Sequence, residues 1–183
     1  AEEGKPVTLG TLARGELFGE RAILADEPRM ATARAAEDSV LVRLDRSDFE
    51  RFYTEHSELK PYFERLSRDR ALINFLRMDT IFGAMPPKLI LRLFRALKEA
   101  SFKAGDTLYD IGDPADALFI LREGEAVVLE RREGEMVPVG MRSSGDVIGE
   151  RSLFGGGARG ASVRAETDLK CLSIDRDALE DLL

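Results

Sequence analysis

Short apolar runs separated by turn residues fill the second half of the chain, and a helical spacing fills its middle. From Phe102 onward the order is Phe102-Lys-Ala-Gly-Asp, Thr107-Leu-Tyr, Ile111-Gly-Asp-Pro, Ala117-Leu-Phe-Ile-Leu, Glu123-Gly, Ala126-Val-Val-Leu-Glu and Glu133-Gly-Glu. Brief strands punctuated by Gly and Asp in this way predict a small antiparallel barrel or sandwich. Residues 46–99 read differently. Phe49, Phe52 and Tyr53, then Leu72, Phe75 and Leu76, recur at helical intervals, and Pro86-Pro87 can open an amphipathic helix over Leu89 to Leu97.

The pattern also repeats. At an offset of 130, residues 7–53 align without a gap on residues 137–183, with about fourteen of forty-seven positions identical. Val7 to Leu12 faces Val137 to Arg142, Gly15-Glu-Leu-Phe faces Gly145-Asp-Val-Ile, and Val40 to Leu44 faces Lys170 to Ile174; each predicts a strand. Both copies continue with Asp-Arg and a helical pattern. The organisation is therefore α+β: half a barrel, a helical connector, then a whole barrel, divided as residues 1–72 and 73–183. The counterparts of residues 100–136 would precede Ala1, so the first roll is expected to be incomplete and the chain to be an excerpt from a longer protein. The open edge is then either a cut or a surface that pairs with another chain in a strand-exchanged dimer.

Composition narrows the classes. The chain has 183 residues, 44% of them hydrophobic and 33% charged, enough for a sizeable core. The apolar runs, such as Leu89-Ile90-Leu91, are broken by Arg and Lys, and Ala1 to Gly10 lacks a basic start followed by an apolar stretch, so no membrane contact is expected. One Cys, Cys171, and one His, His56, exclude a disulfide framework and a zinc site of soft ligands, and a cytoplasmic protein without metal is expected. A formal charge of −7 and a pI near 5.0 speak against nucleic-acid binding.

The repeated stretch with the most distinctive chemistry is GERAILADEPRMATARA at residues 19–35, returning as GERSLFGGGARGASVRA at residues 149–165. A Glu and an Arg nine residues apart across a tight apolar turn suit one ligand with both hydroxyls and a negative charge. Arg29 or Arg159 offers a fork of donors to paired anionic oxygens, and Glu20 or Glu150 accepts from hydroxyls such as those of a ribose. Gly19 and Gly149 open the turn. Ala31-Thr32 and Ala161-Ser162 let backbone and hydroxyl donors come close. No nucleophile with a paired base is in reach, so a phosphorylated sugar would be bound rather than cleaved.

Phe18-Gly19-Glu20-Arg21-Ala22-Ile23-Leu24 with Pro28-Arg29-Met30-Ala31-Thr32 resembles the phosphate-binding cassette of cyclic nucleotide-binding domains. Ile148-Gly149-Glu150-Arg151-Ser152-Leu153-Phe154 with Ala158-Arg159-Gly160-Ala161-Ser162 resembles it with more drift, and the run from Phe102 to Val128 is similar to that family's early strands. The resemblance implies a β-roll, a small jelly-roll-like antiparallel barrel with flanking helices, in tandem repeat. It implies that each Glu holds a ribose 2′-hydroxyl and each Arg a cyclic phosphate. Helices after the roll would relay occupancy to an effector in the same longer chain or a separate subunit: a kinase, channel, transporter or DNA-binding part. Met30 and Gly160, where the family's cGMP-selective members tend to carry Thr or Ser, favour cAMP over cGMP.

Two functions are weighed from these residues. One is a non-enzymatic cyclic nucleotide sensor that relays ligand occupancy through residues 46–99. The other is a degenerate tandem domain that binds no nucleotide and serves as a docking or dimerisation scaffold. A transcription regulator of the catabolite-activator type would need a helix-turn-helix after the first unit, where a second roll is expected instead.

Overall fold

The computed structural model of the chain describes residues 8–26, 28–155 and 157–182. They fall into two compact units, one of residues 10–72 and one of residues 73–182 together with 8–9. Val7, Glu27, Gly156 and Leu183, which take part in the repeat, lie outside the described residues.

In the unit of residues 10–72 the cassette forms a one-turn helix, α1 (Arg21–Leu24), followed by α2 (Arg46–Glu55), a 3-10 turn (Ser57–Leu59) and the start of α3 (Lys60–Met78). Asp45 stands before α2 in extended conformation, and Asp48 adds an acidic group to the first turn, where the helix dipole favours it. Phe49 and Phe63 are buried, and their rings meet edge to face at 5.3 Å between centroids. Tyr53 and Tyr62 pack around the same Phe63 ring. The aromatic positions of residues 49–63 thus form a small helical core.

The strands expected at the described parts of residues 7–12, at residues 15–18 and at residues 40–44 do not form. The reason is pairing. A strand leaves its backbone N–H and C=O groups open unless a neighbour takes them, and among the described residues the early strands pair within the second copy. Val40 and Val42 are accordingly 97% and 98% exposed.

The other unit contains α4 (Pro87–Ala96), with Pro at its first position and Ile90 and Leu93 buried. Eight strands follow: β1 (Lys98–Phe102), β2 (Thr107–Tyr109), β3 (Ala117–Glu123), β4 (Ala126–Arg132), β5 (Glu135–Arg142), β6 (Val147–Ile148), then after the helix α5 (Glu150–Gly155) β7 (Ser162–Ala165) and β8 (Leu169–Asp175). A short helix, α6 (Arg176–Glu180), ends the order. The strands make two antiparallel four-stranded sheets, β1-β8-β3-β6 and β2-β7-β4-β5, without closing into a barrel. Leu121, Ile148, Leu169 and Cys171 from the first sheet and Ala126, Val163 and Ala165 from the second share one core. α4 lies beside α6, where Arg92 Nη2 donates to the Asp181 carbonyl at 2.7 Å. This is the β-roll with flanking helices. Among the described residues there is one such roll, so the chain holds about one domain of this kind and a cassette from another rather than a full tandem pair.

Candidate functional site

Both cassettes build the same local device. Gly19 and Gly149 sit at φ +85° and +91°, the left-handed region that favours glycine, and a Cβ at either would run into the guanidinium of the cassette arginine. The turn so made offers the glycine carbonyl to that arginine: Arg29 Nη1 donates to Gly19 at 2.7 Å and Arg159 Nη1 to Gly149 at 3.2 Å. The glutamate then opens the short helix, Glu20 before α1 and Glu150 as the first residue of α5.

The second copy is enclosed by its roll. Arg159 is 2% exposed. Besides Gly149 it donates through Nη2 to the Ala117 carbonyl, lies 3.6 Å from Asp116 Oδ1, and places its Cζ 4.1 Å from the ring centroid of Tyr109. Its Nε is buried without a partner. The backbone on either side is stitched to the loop between β2 and β3. Arg159 N–H donates to Asp113 and Gly112 N–H to the Arg159 carbonyl, both at 2.8 Å. Ser162 is buried at the start of β7, where its Oγ accepts from Ile111 N–H at 2.9 Å. Gly160 N–H reaches Ser152 Oγ at 3.4 Å, and Ala161 and Glu150 are half-buried. Tyr109 faces both cassette charges. Burial raises its phenol above the ordinary value, the Arg159 charge opposes that rise, and the Glu150 charge adds to it.

The first copy differs in burial. Glu20 is 3% exposed, and Arg70 of α3 donates to its Oε1 at 2.8 Å, while Oε2 is buried without a partner. Arg29, Ala31 and Thr32 are all exposed. The structure thus brings Gly19 and Arg29 together and leaves Ala31 and Thr32 exposed outside any strand, whereas in the second copy Gly149, Arg159 and Ser162 are all fixed by polar contacts.

Sequence reading passed over several residues that hold the device. Tyr109, Asp116 and Arg70 had no signal, because their counterparts at an offset of 130 fall outside the 183 residues. Arg46 and Arg176 do have one, the repeated Asp-Arg that precedes each helical pattern. Arg46 Nη2 donates to the Ala22 carbonyl at 3.0 Å and Arg176 Nη2 to the Ser152 carbonyl at 3.4 Å. Ala22 and Ser152 are themselves equivalent, so each copy ties the helix that follows it to the same position of its cassette.

Among the described residues no group of three or more His, Cys, Asp or Glu is placed to hold a metal, and no helix is long and apolar enough to cross a membrane.

Residues 1–56 and 99–183 match the model of the cyclic nucleotide-binding domain. The chain is similar to cAMP-dependent protein kinase regulatory subunits of Emericella nidulans, at 32% identity over 99% of this chain and 42% of the relative, and of Neurospora crassa, at 32% over 99% and 45%. It spans less than half the length of these relatives. In structure it is similar to the regulatory subunit of a cAMP-independent protein kinase A from Trypanosoma brucei, with TM-score 0.60 and 27% identity over 64% of this chain and 44% of that one. A second solved structure, a PKAR CBD2 with bound Sp-2Cl-cAMPS, has TM-score 0.52 and 25% identity over 59% of this chain and 71% of that one.

Proposed function

Since the chain belongs to the cyclic nucleotide-binding domain family, we propose that it is a regulatory binding region whose second cassette, Gly149 to Ser162, takes a cyclic nucleotide, cAMP in preference to cGMP. One observation carries this reading: the Arg159 guanidinium is buried inside a complete roll with Nε unpartnered. Asp116 already stands 3.6 Å from the guanidinium, but the buried Nε–H is left without an acceptor, which is costly until a ligand oxygen meets it. A cyclic phosphate presents two oxygens in the geometry of the guanidinium fork. Glu150 then accepts from the ribose hydroxyl, and Gly149, Ala161 and Ser162 shape the wall.

In the first cassette Gly19, Glu20, Arg29, Ala31 and Thr32 play the matching parts. There Arg70 already occupies Glu20 Oε1. A ribose hydroxyl would compete with it and bias α3, which gives ligand occupancy a way to act on a helix. The effector is proposed to be a protein kinase, in keeping with the names of the fungal relatives, in a cytoplasmic setting. The chain itself binds and does not catalyse.

The test is calorimetric titration of the intact chain with cAMP and with cGMP, repeated on Arg29→Ala and Arg159→Ala. Saturable cAMP binding is expected, weakened about 10- to 100-fold or more by Arg159→Ala, the scale of a lost charge-assisted bond in a buried site. Undiminished binding in Arg159→Ala would move the site to the first cassette. The Trypanosoma brucei neighbour is described as cAMP-independent, so heat with neither nucleotide would favour the scaffold reading.

A further inference from the structure

We propose that Tyr109 is a positioning residue for the second pocket: its ring sits beneath the Arg159 guanidinium carbon and holds that fork in the orientation in which it meets an anion. The inference rests on the reading of the second cassette as a ligand site and adds a residue to it.

The geometry argues for positioning rather than competition. A guanidinium donates hydrogen bonds in its plane and offers its flat face to an aromatic ring. In the plane, Nη1 and Nη2 are anchored on the Gly149 and Ala117 carbonyls, and Nε is left over. The face is covered by Tyr109, with Cζ 4.1 Å from the ring centroid. The ring therefore takes no donor from an incoming phosphate, and it excludes water from the side on which Arg159 would otherwise be hydrated. Tyr109 is itself fixed: it ends β2, pairs with Val163 of β7, and stacks on Phe119 at 6.4 Å with the ring planes 28° apart. A rigid strand thus sets the angle of the ring, and the ring sets the angle of the arginine. This matters here because the cassette between Glu150 and Arg159 carries Gly155-Gly-Gly where the first copy has Ala25-Asp-Glu, and glycine has the most backbone freedom to lose on ordering.

The experiment uses the intact chain and the variants Tyr109→Phe, Tyr109→Leu, Arg159→Ala and the doubles. In the absence of ligand, a double-mutant cycle by urea unfolding should show that the losses from Tyr109→Leu and Arg159→Ala fail to add, while Tyr109→Phe behaves nearly as wild type. Additive losses would overturn the proposal whether or not a nucleotide binds. In titration with cAMP, Tyr109→Leu should weaken binding about 3- to 30-fold, the range of a desolvated cation–π contact, and Tyr109→Phe should restore it. Loss of affinity in Tyr109→Phe equal to that in Tyr109→Leu would also overturn it, because the hydroxyl would then be the active group. Coupling without cAMP binding would keep Tyr109 as the holder of Arg159 and count against the nucleotide assignment alone.

Discussion

The two cassettes share a frame and differ in surroundings, which separates what local sequence dictates from what packing adds. In both, the positive-φ glycine, the arginine on its carbonyl, the short helix after it and the Asp-Arg start of the following helix are present. These are contacts within a few dozen residues, and they form with or without a roll. Burial does not follow from the frame. Arg159 is enclosed while Arg29 is exposed, and Leu172 in β8 is 1% exposed whereas its counterpart Val42 is 98% exposed. β8 has a strand on each side, β1 and β3, and residues 40–44 have neither. The cassette is thus a local motif, and the pocket is a property of the sheets.

The largest effect should come from equivalent apolar positions. Leu172→Ala removes a fully buried side chain from the face of β8 opposite Cys171 and should cost about 2–5 kcal/mol. Val42→Ala should stay within about 0.5 kcal/mol, as an exposed substitution does. Urea unfolding of the two variants checks both. Equal losses would mean that residues 40–44 are packed in solution, and the contrast between the copies would fail.

Next in size are the glycines. Gly149→Ala places a Cβ at φ +91° and against a guanidinium that cannot move without leaving its buried contacts. A cost of about 2–4 kcal/mol and the loss of ligand binding are expected. Gly19→Ala meets the same backbone strain, but Arg29 is exposed and can swing away, so about 1–2 kcal/mol is expected. Thermal unfolding with and without cAMP separates strain from displacement of the arginine.

Most of the roll was legible because its strands are short, apolar and separated by turn residues, and because the helices of residues 46–99 keep a helical spacing with Pro at the start of α4. The repeat made the cassette legible, and in the second copy Arg159 and Ser162 meet the β2–β3 loop while Gly149 accepts from Arg159. What failed was the step from alternation to strand in residues 7–18 and 40–44. Alternation reports a face that can be buried, and a strand needs a partner as well, which a window of five residues does not contain. Tyr109 and Arg70 were missed for a related reason. Each reaches its cassette partner across 50 residues of chain, and nothing in the spacing of Tyr109 and Arg159, or of Glu20 and Arg70, marks them as neighbours.

The smallest effect sharpens the same contrast through one thiol. Cys171 in β8 is 2% exposed, and burial pushes its thiol up from the ordinary value of 9.0 to about 11. Its counterpart Leu41 is 69% exposed, so Leu41→Cys should give a thiol with ordinary acidity. At pH 8 the difference of about two units lowers the thiolate fraction of Cys171 about a hundredfold. The added cysteine should therefore react with a disulfide reagent at the rate of a free thiol, and Cys171 only as the roll opens. The sign for stability follows from the raised value. The folded state favours the protonated thiol, so the contribution is full below pH 9.0 and is lost as pH rises toward about 11. Cys171→Ser should remove that part of the alkaline decline, and fast labelling of Cys171 at pH 8 in the absence of denaturant would show that β8 is no better protected than residues 40–44.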